Sequence, residues 1–226
     1  MPETQLAILE TQLRSLDAAM DQLRAAAALD FACITQFIKN HFENATQGSD
    51  QRKSLGAVIH ELQYYDLLHQ SIDHIQELHH RFHQAVADTA NLTARNNRVN
   101  HPLAQLNRLQ FEVCCLGLNQ AVEDILRLLR SAQTSDLADN DCFTNHNTVL
   151  NLATRIAGQF HELAGLCDSW PISDVQSRMN ELNTLYSTAV ERTVLEHFIK
   201  EPGISAQHLV KILQHTQAGA STIDLF

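Results

Sequence analysis

Apolar residues recur at three- and four-residue steps along most of the chain, the spacing of one buried helical face. Leu6, Leu9, Leu13, Leu16, Met20, Leu23, Leu29, Cys33, Phe37 and Ile38 predict a helix over about 3–45. Leu55, Val58, Leu62, Tyr65, His69, Ile72, Ile75, His79, Phe82 and Val86 predict a second over 51–92, close to a heptad seam. Each would be about 60 Å long. Gln47-Gly48-Ser49-Asp50 between them reads as a stop followed by an N-cap, so the two form an antiparallel hairpin. A long helix with one apolar stripe needs a partner for that stripe.

Residues 93–100 are polar and break the pattern. Asn100-His101-Pro102 then sets an N-cap just ahead of a proline. A third helix follows to about 133, with Leu103, Leu106, Leu109, Val113, Leu116, Ala121, Ile125 and Leu128 as its stripe. The acidic, polar stretch 134–145 reads as a loop, and a fourth helix spans about 146–168. Trp170-Pro171 marks a break before a fifth helix over about 173–200, which Glu201-Pro202-Gly203 ends. A short helix over 205–215 and a tail over 217–226 close the chain. No strand-like alternation and no fixed-period repeat is visible. The expected fold is all-α: a long antiparallel hairpin over 1–92, and further helices over 93–216 that pack on or extend a four-helix-type bundle. That bundle closes either within the chain or across a homodimer. Residues 217–226 are expected to form a flexible partner-binding tail.

Composition supports helix over sheet. The 226 residues include only 7 Gly and 4 Pro, with 44% apolar and 6% aromatic side chains. The net charge is −10 and the 16 Lys and Arg are scattered, so the clustered basic face of a nucleic-acid binder is missing. Cys33, Cys114, Cys115, Cys142 and Cys167 are odd in number and contain no C-x-x-C pair. They are expected to be small buried residues in a reducing compartment. The N-terminus has neither a basic region nor an apolar signal core, and no apolar run is long enough to span a bilayer. A cytoplasmic, soluble protein without membrane insertion is expected.

The candidate chemistry lies in the second helix, at Tyr64-Tyr65-Asp66-Leu67-Leu68-His69-Gln70. Asp66 and Gln70 are four residues apart, on one helical face with Cβ atoms about 5–6 Å apart. A chain with 14 Asp and 19 Gln holds about one such pair by chance, and this chain has one. The setting gives it weight. Gln63, Asp66, Gln70, Asp73 and Glu77 make a polar stripe beside the apolar seam, on a rigid element.

The segment resembles the motif of CheZ-type chemotaxis phosphatases, in which an aromatic residue precedes Asp-Leu-x-x-Gln. It is also similar to a Leu-Gln-Phe-Gln-Asp motif of short chemotaxis-associated helical proteins. Their later Tyr-Thr…Glu-Arg segment resembles residues Leu185 to Arg192 here. The resemblance covers about 15 residues of helix and, more loosely, the long hairpin; three or more helices after the hairpin depart from it. It implies a phosphatase acting on the aspartyl phosphate of a CheY-like response regulator. Gln70 would position the attacking water and Asp66 would pair with the regulator's lysine, with Gln63 and Asp73 contacting the partner. An amide both donates to and accepts from one water, which fixes its line of attack. The chain would need no cofactor of its own, since the magnesium belongs to the regulator. The resemblance also gives the apolar-acidic end Ile223-Asp224-Leu225-Phe226 a role as partner tether, raising effective concentration without new chemistry.

Two other classes remain at this point. One is a non-catalytic helical adaptor that binds a chemotaxis component by the same face. The other is a metal-binding bundle. Seven of the 13 His fall between His41 and His83, and His79 and His83 are an i, i+4 pair. No third ligand can be placed beside them, so packing or solvent-facing roles are expected. No phosphate-binding glycine loop and no matched nucleophile and base are present.

Overall fold

Seven helices are present among the described residues: α1 (Glu3–Phe42), α2 (Asp50–Glu61), α3 (Gln63–Asn91), α4 (Asn100–Ser131), α5 (Asp141–Cys167), α6 (Ala189–Lys200) and α7 (Ala206–Gly219). The structure, a computed structural model, describes residues 3–43, 49–91, 100–131, 141–167, 182, 184–201 and 203–219. Cross-helix contacts fix the topology. His79 bonds Leu13, Gln76 bonds Asp21, and Tyr65 bonds Asp30, so α3 runs antiparallel to α1. Arg155 reaches Gln22 and His146 reaches Asp30, so α5 is antiparallel to α1 as well. Ser131 meets Ser54, Tyr64 meets Cys114, and Arg108 meets His161, which sets α4 against α2–α3 on one side and α5 on the other. The result is an up-down-up-down four-helix bundle whose legs all come from one chain. The helices α6 and α7 pack outside it, against α4.

One hydrophobic core runs through the bundle and continues under α6 and α7. Leu13, Met20, Leu23, Ile72, Phe82, Phe111, Ile125 and Phe160 are fully or almost fully buried, as are Val194, Leu195 and Leu209. Most of the predicted stripe positions lie in it. The exceptions have physical causes. Leu29, expected in the first stripe, is 64% exposed, and Asp30 occupies the core position beside it at 0%. The carboxylate is tolerated because Tyr65 donates to Oδ2 and His146 Nδ1 stands 2.6 Å from the same atom. Cys33 is disulfide-bonded, which corrects the expectation of five unpaired thiols. Pairing depends on tertiary proximity, which an odd count without a spacing motif does not reveal.

Helix boundaries differ in four places, one of them at α7, which runs to Gly219, four residues past its expected end and into the expected tail. The predicted helix over 51–92 is interrupted at Leu62. There Tyr65 N–H bonds Leu62 O, three residues back instead of four, a local tightening that no glycine or proline announces. The helix α5 begins at Asp141, five residues earlier than expected, and so takes in the last five residues of the expected loop. The predicted start of the fifth helix near 173 is corrected at its described end: residues 184–188 are non-helical and α6 begins at Ala189. Thr188 is the N-cap, in a capping box with Glu191 that satisfies orphan amides at both positions.

His79 is buried, with Nε2 donating to Leu13 O at 3.0 Å and Phe160 packed edge-on to the ring. Burial lowers its pKa, opposed by Asp17 and the Leu13 carbonyl and assisted by His83 and His80. The folded state therefore binds fewer protons here than the unfolded chain does below about pH 6.5. Stability from this group is present above that pH and is lost as the medium is acidified. A His79→Gln variant keeps a donor for Leu13 O. It is expected to show a shallower fall in urea midpoint between pH 7 and 5 than wild type; an equal fall would refute the assignment.

Candidate functional site

The helix α3 presents its polar stripe outward along the bundle. Gln63, Asp66, Gln70 and Asp73 are all exposed, on one side of the helix. Advancing 100° per residue puts Gln70 about 40° from Asp66, so the carboxylate and the amide share a face. Neither has a hydrogen-bond partner among the described residues. Their neighbours differ. Tyr65 is buried on Asp30, and Tyr64 donates to Cys114 O at 2.6 Å. Asp73 is held in an ion pair by Arg24, which also bonds Gln76. His74, one turn beyond Gln70, sits 2.7 Å from the buried Glu191 of α6. The ridge is thus pinned to α1 on one side and to α6 on the other, while Asp66 and Gln70 stay uncommitted.

Each side of the ridge is concave. A groove of about 340 Å³ lies between α1 and the α2–α3 junction, floored by Phe31, Ile38, Phe42, Ile59 and Leu62. Asp66 and Gln63 line it from α3 and Lys39 from α1. Leu62 is buried at the groove and Gln63, the next residue, is exposed at its rim. On the far flank a second cavity of about 400 Å³ lies among α3, α4, α6 and α7, lined by Tyr64, Leu67, Ser71, Cys114, Gly117 and Glu191 among others. Burial pushes the Cys114 thiol up to about 12 and the Cys115 thiol well above its usual range. Neither is a thiolate nucleophile at neutral pH.

Gly117 sits where α4 meets Tyr64. A Cβ there would lie 2.2 Å from the Tyr64 hydroxyl and 2.8 Å from its ring carbon Cζ. In an open helix Gly→Ala gains about 1 kcal/mol. Here the ring must leave its place and abandon the bond to Cys114 O. Gly117→Ala is expected to destabilise by about 1–3 kcal/mol, read as a lower urea midpoint. A raised midpoint would show that Tyr64 is loosely held.

Among the residues predicted for function, the structure brings Gln63, Asp66 and Gln70 together as a free exposed set. It ties Asp73 into the scaffold. Ile223, Asp224, Leu225 and Phe226 lie outside the described residues. His69 is half-buried beside the seam. The groove residues Phe31, Lys39 and Phe42 were not singled out by the sequence, because a groove arises from two helices and periodicity describes one. Asp30 was detectable as an acid inside an apolar stripe. Among the described residues no group of three or more His, Cys, Asp and Glu stands ready to hold a metal. Likewise no described helix is long and apolar enough to cross a membrane. Set against family models, curated proteins and solved structures, the chain matches none.

Proposed function

We propose that the chain is a phosphatase of an aspartyl-phosphorylated, CheY-like response regulator, of the CheZ type. The observation that carries this reading is the free Asp66 and Gln70 pair on a ridge pinned at Asp73 and His74. A response regulator already supplies the magnesium and the lysine that its aspartyl phosphate needs. What it lacks is a fixed water. Gln70 holds that water in line with the phosphorus, its carbonyl oxygen accepting a hydrogen bond from the water and its NH2 donating one to the water oxygen. Asp66 pairs with the regulator's lysine and orients the docked face. Gln63 contacts the partner beside them. In this reading the C-terminal Ile223-Asp224-Leu225-Phe226 segment tethers the regulator, and the chain needs no cofactor of its own.

The groove beside Asp66 suits docking whether or not turnover follows. The second reading is therefore a non-catalytic adaptor that binds a chemotaxis signalling component by this same face. Phosphate loss from phosphorylated regulators separates the two: the phosphatase accelerates it, and the adaptor binds the regulator without accelerating it.

A further inference from the structure

The cavity of about 400 Å³ among α3, α4, α6 and α7 has the form of a small-molecule site, mostly apolar with a few polar groups. Its α4 wall runs from Gln110 to Ala121, about 16 Å along the helix. Leu67, Val113, Leu116, Val190, Val210 and Leu213 supply apolar surface from α3, α4, α6 and α7. Two carboxylates line it, Glu61 and Glu191, and no Lys, Arg or His does. The two acids differ. Glu191 lies at the Gln110 end, where Gln110 Nε2 donates to its backbone carbonyl. Its carboxylate is already committed to His74 and Thr188. Glu61, the last residue of α2, lies toward the other end, near Asp124 of α4. Its side chain is half-buried and makes no hydrogen bond or ion pair among the described residues. Burial and the charge of Asp124 push the Glu61 carboxyl above its usual range, and His60 and Arg127 pull against them. Arg127 itself is bonded to Asp124. The cavity thus ends on a carboxylate that lacks a cation.

We propose that this cavity binds a small organic cation, a primary amine on a slender apolar body. The apolar walls take the body out of water, which is the main gain. The ammonium donates to Glu61, a charge-assisted bond at a half-buried acid that has no competing partner. An alcohol of the same shape fills the walls and leaves Glu61 without a cation. A carboxylate of the same shape is repelled by both glutamates. Thr188, Val190, Val210 and Leu213 come from α6, its cap and α7, while Leu67, Val113 and Leu116 come from the bundle. A bound molecule therefore touches both parts at once and holds α6 and α7 to the bundle, as any ligand stabilises the state that binds it. The cavity lies on the flank of α3 away from the groove beside Asp66, and the proposal does not rest on the phosphatase reading.

The test is titration calorimetry of the full chain with phenylbutylamine, phenylbutanol and phenylbutyrate, with amide exchange followed in the presence of each. The amine is expected to bind about 10-fold tighter than the alcohol, the acid more weakly than either, and the amine should slow exchange over 189–219. Glu61→Gln should bring the amine down to the affinity of the alcohol, with helicity by circular dichroism unchanged. Equal affinity of the wild-type chain for the three compounds overturns the proposal, by showing apolar partition alone, and so does the absence of binding; neither result needs a variant to fold. Amine binding that leaves exchange over 189–219 unchanged overturns it too, because a chain of net charge −10 would then be collecting cations on its surface. So does a preference for the amine that survives Glu61→Gln.

Discussion

Gln70→Ala is expected to reduce the accelerated loss of phosphate from a CheY-like regulator by about 100-fold or more, while leaving the affinity for the regulator nearly unchanged. The size follows from what the amide contributes. Fixing a water in line replaces a bimolecular encounter with a preset geometry, and loss of one well-placed catalytic hydrogen-bonding group costs about 10²–10³ in rate. The fold should not suffer, because Gln70 is exposed and makes no hydrogen bond among the described residues. Asp66→Ala should act differently. Asp66 lines the groove as well as the ridge, so its loss should raise KM and lower kcat together. The split between the two variants is measured by steady-state phosphate release over a range of phosphorylated regulator. Equal effects on KM from both would remove the distinction between water positioning and docking.

Glu191→Ala is expected to have the largest effect on stability, about 2–4 kcal/mol. This carboxylate is almost fully buried and serves three groups. Its Oε1 meets His74 Nδ1 at 2.7 Å, and its Oε2 accepts from the Thr188 amide and hydroxyl at 3.2 and 2.9 Å. Alanine removes half of the capping box and leaves His74 without its acceptor. The α6 backbone is also tied to the bundle, through Gln110 Nε2 donating to Glu191 O at 3.0 Å, and that bond survives the substitution. The loss should therefore concentrate in α6 and α7. Amide exchange should quicken over 189–219 before the bundle helices respond, and the urea midpoint should fall. Unchanged exchange in α6 would mean that apolar packing of Val194, Leu195 and Phe198 holds it alone. Because His74 is one turn from Gln70, the same variant should also lower the phosphatase rate modestly.

The bundle was legible because its legs are long and strongly periodic, and Leu13, Leu23, Ile72 and Ile125 fall where a 3.6-residue repeat puts them. The choice between closure within the chain and closure across two copies was not. It depends on how four helices meet, which a single stripe does not encode. Leu29 and Asp30 show where local pattern fails. Hydropathy alone buries the leucine, and only the arrival of Tyr65 and His146 from other helices makes the acid the better core residue. The start of α6 was readable and was missed: Thr188-x-x-Glu191 is a capping box in plain sequence. At the site, the spacing of Asp66 and Gln70 predicted a shared face. It did not predict that Asp73, part of the same stripe, would be held by Arg24 some 49 residues away in sequence.

The most direct test of the central claim is the time course of phosphate loss from a panel of phosphorylated response regulators of the source organism, with and without the wild-type chain. The account predicts that at least one regulator loses phosphate many-fold faster with the chain present, and that Gln70→Ala returns it to its intrinsic rate. A panel in which no regulator is accelerated would contradict it.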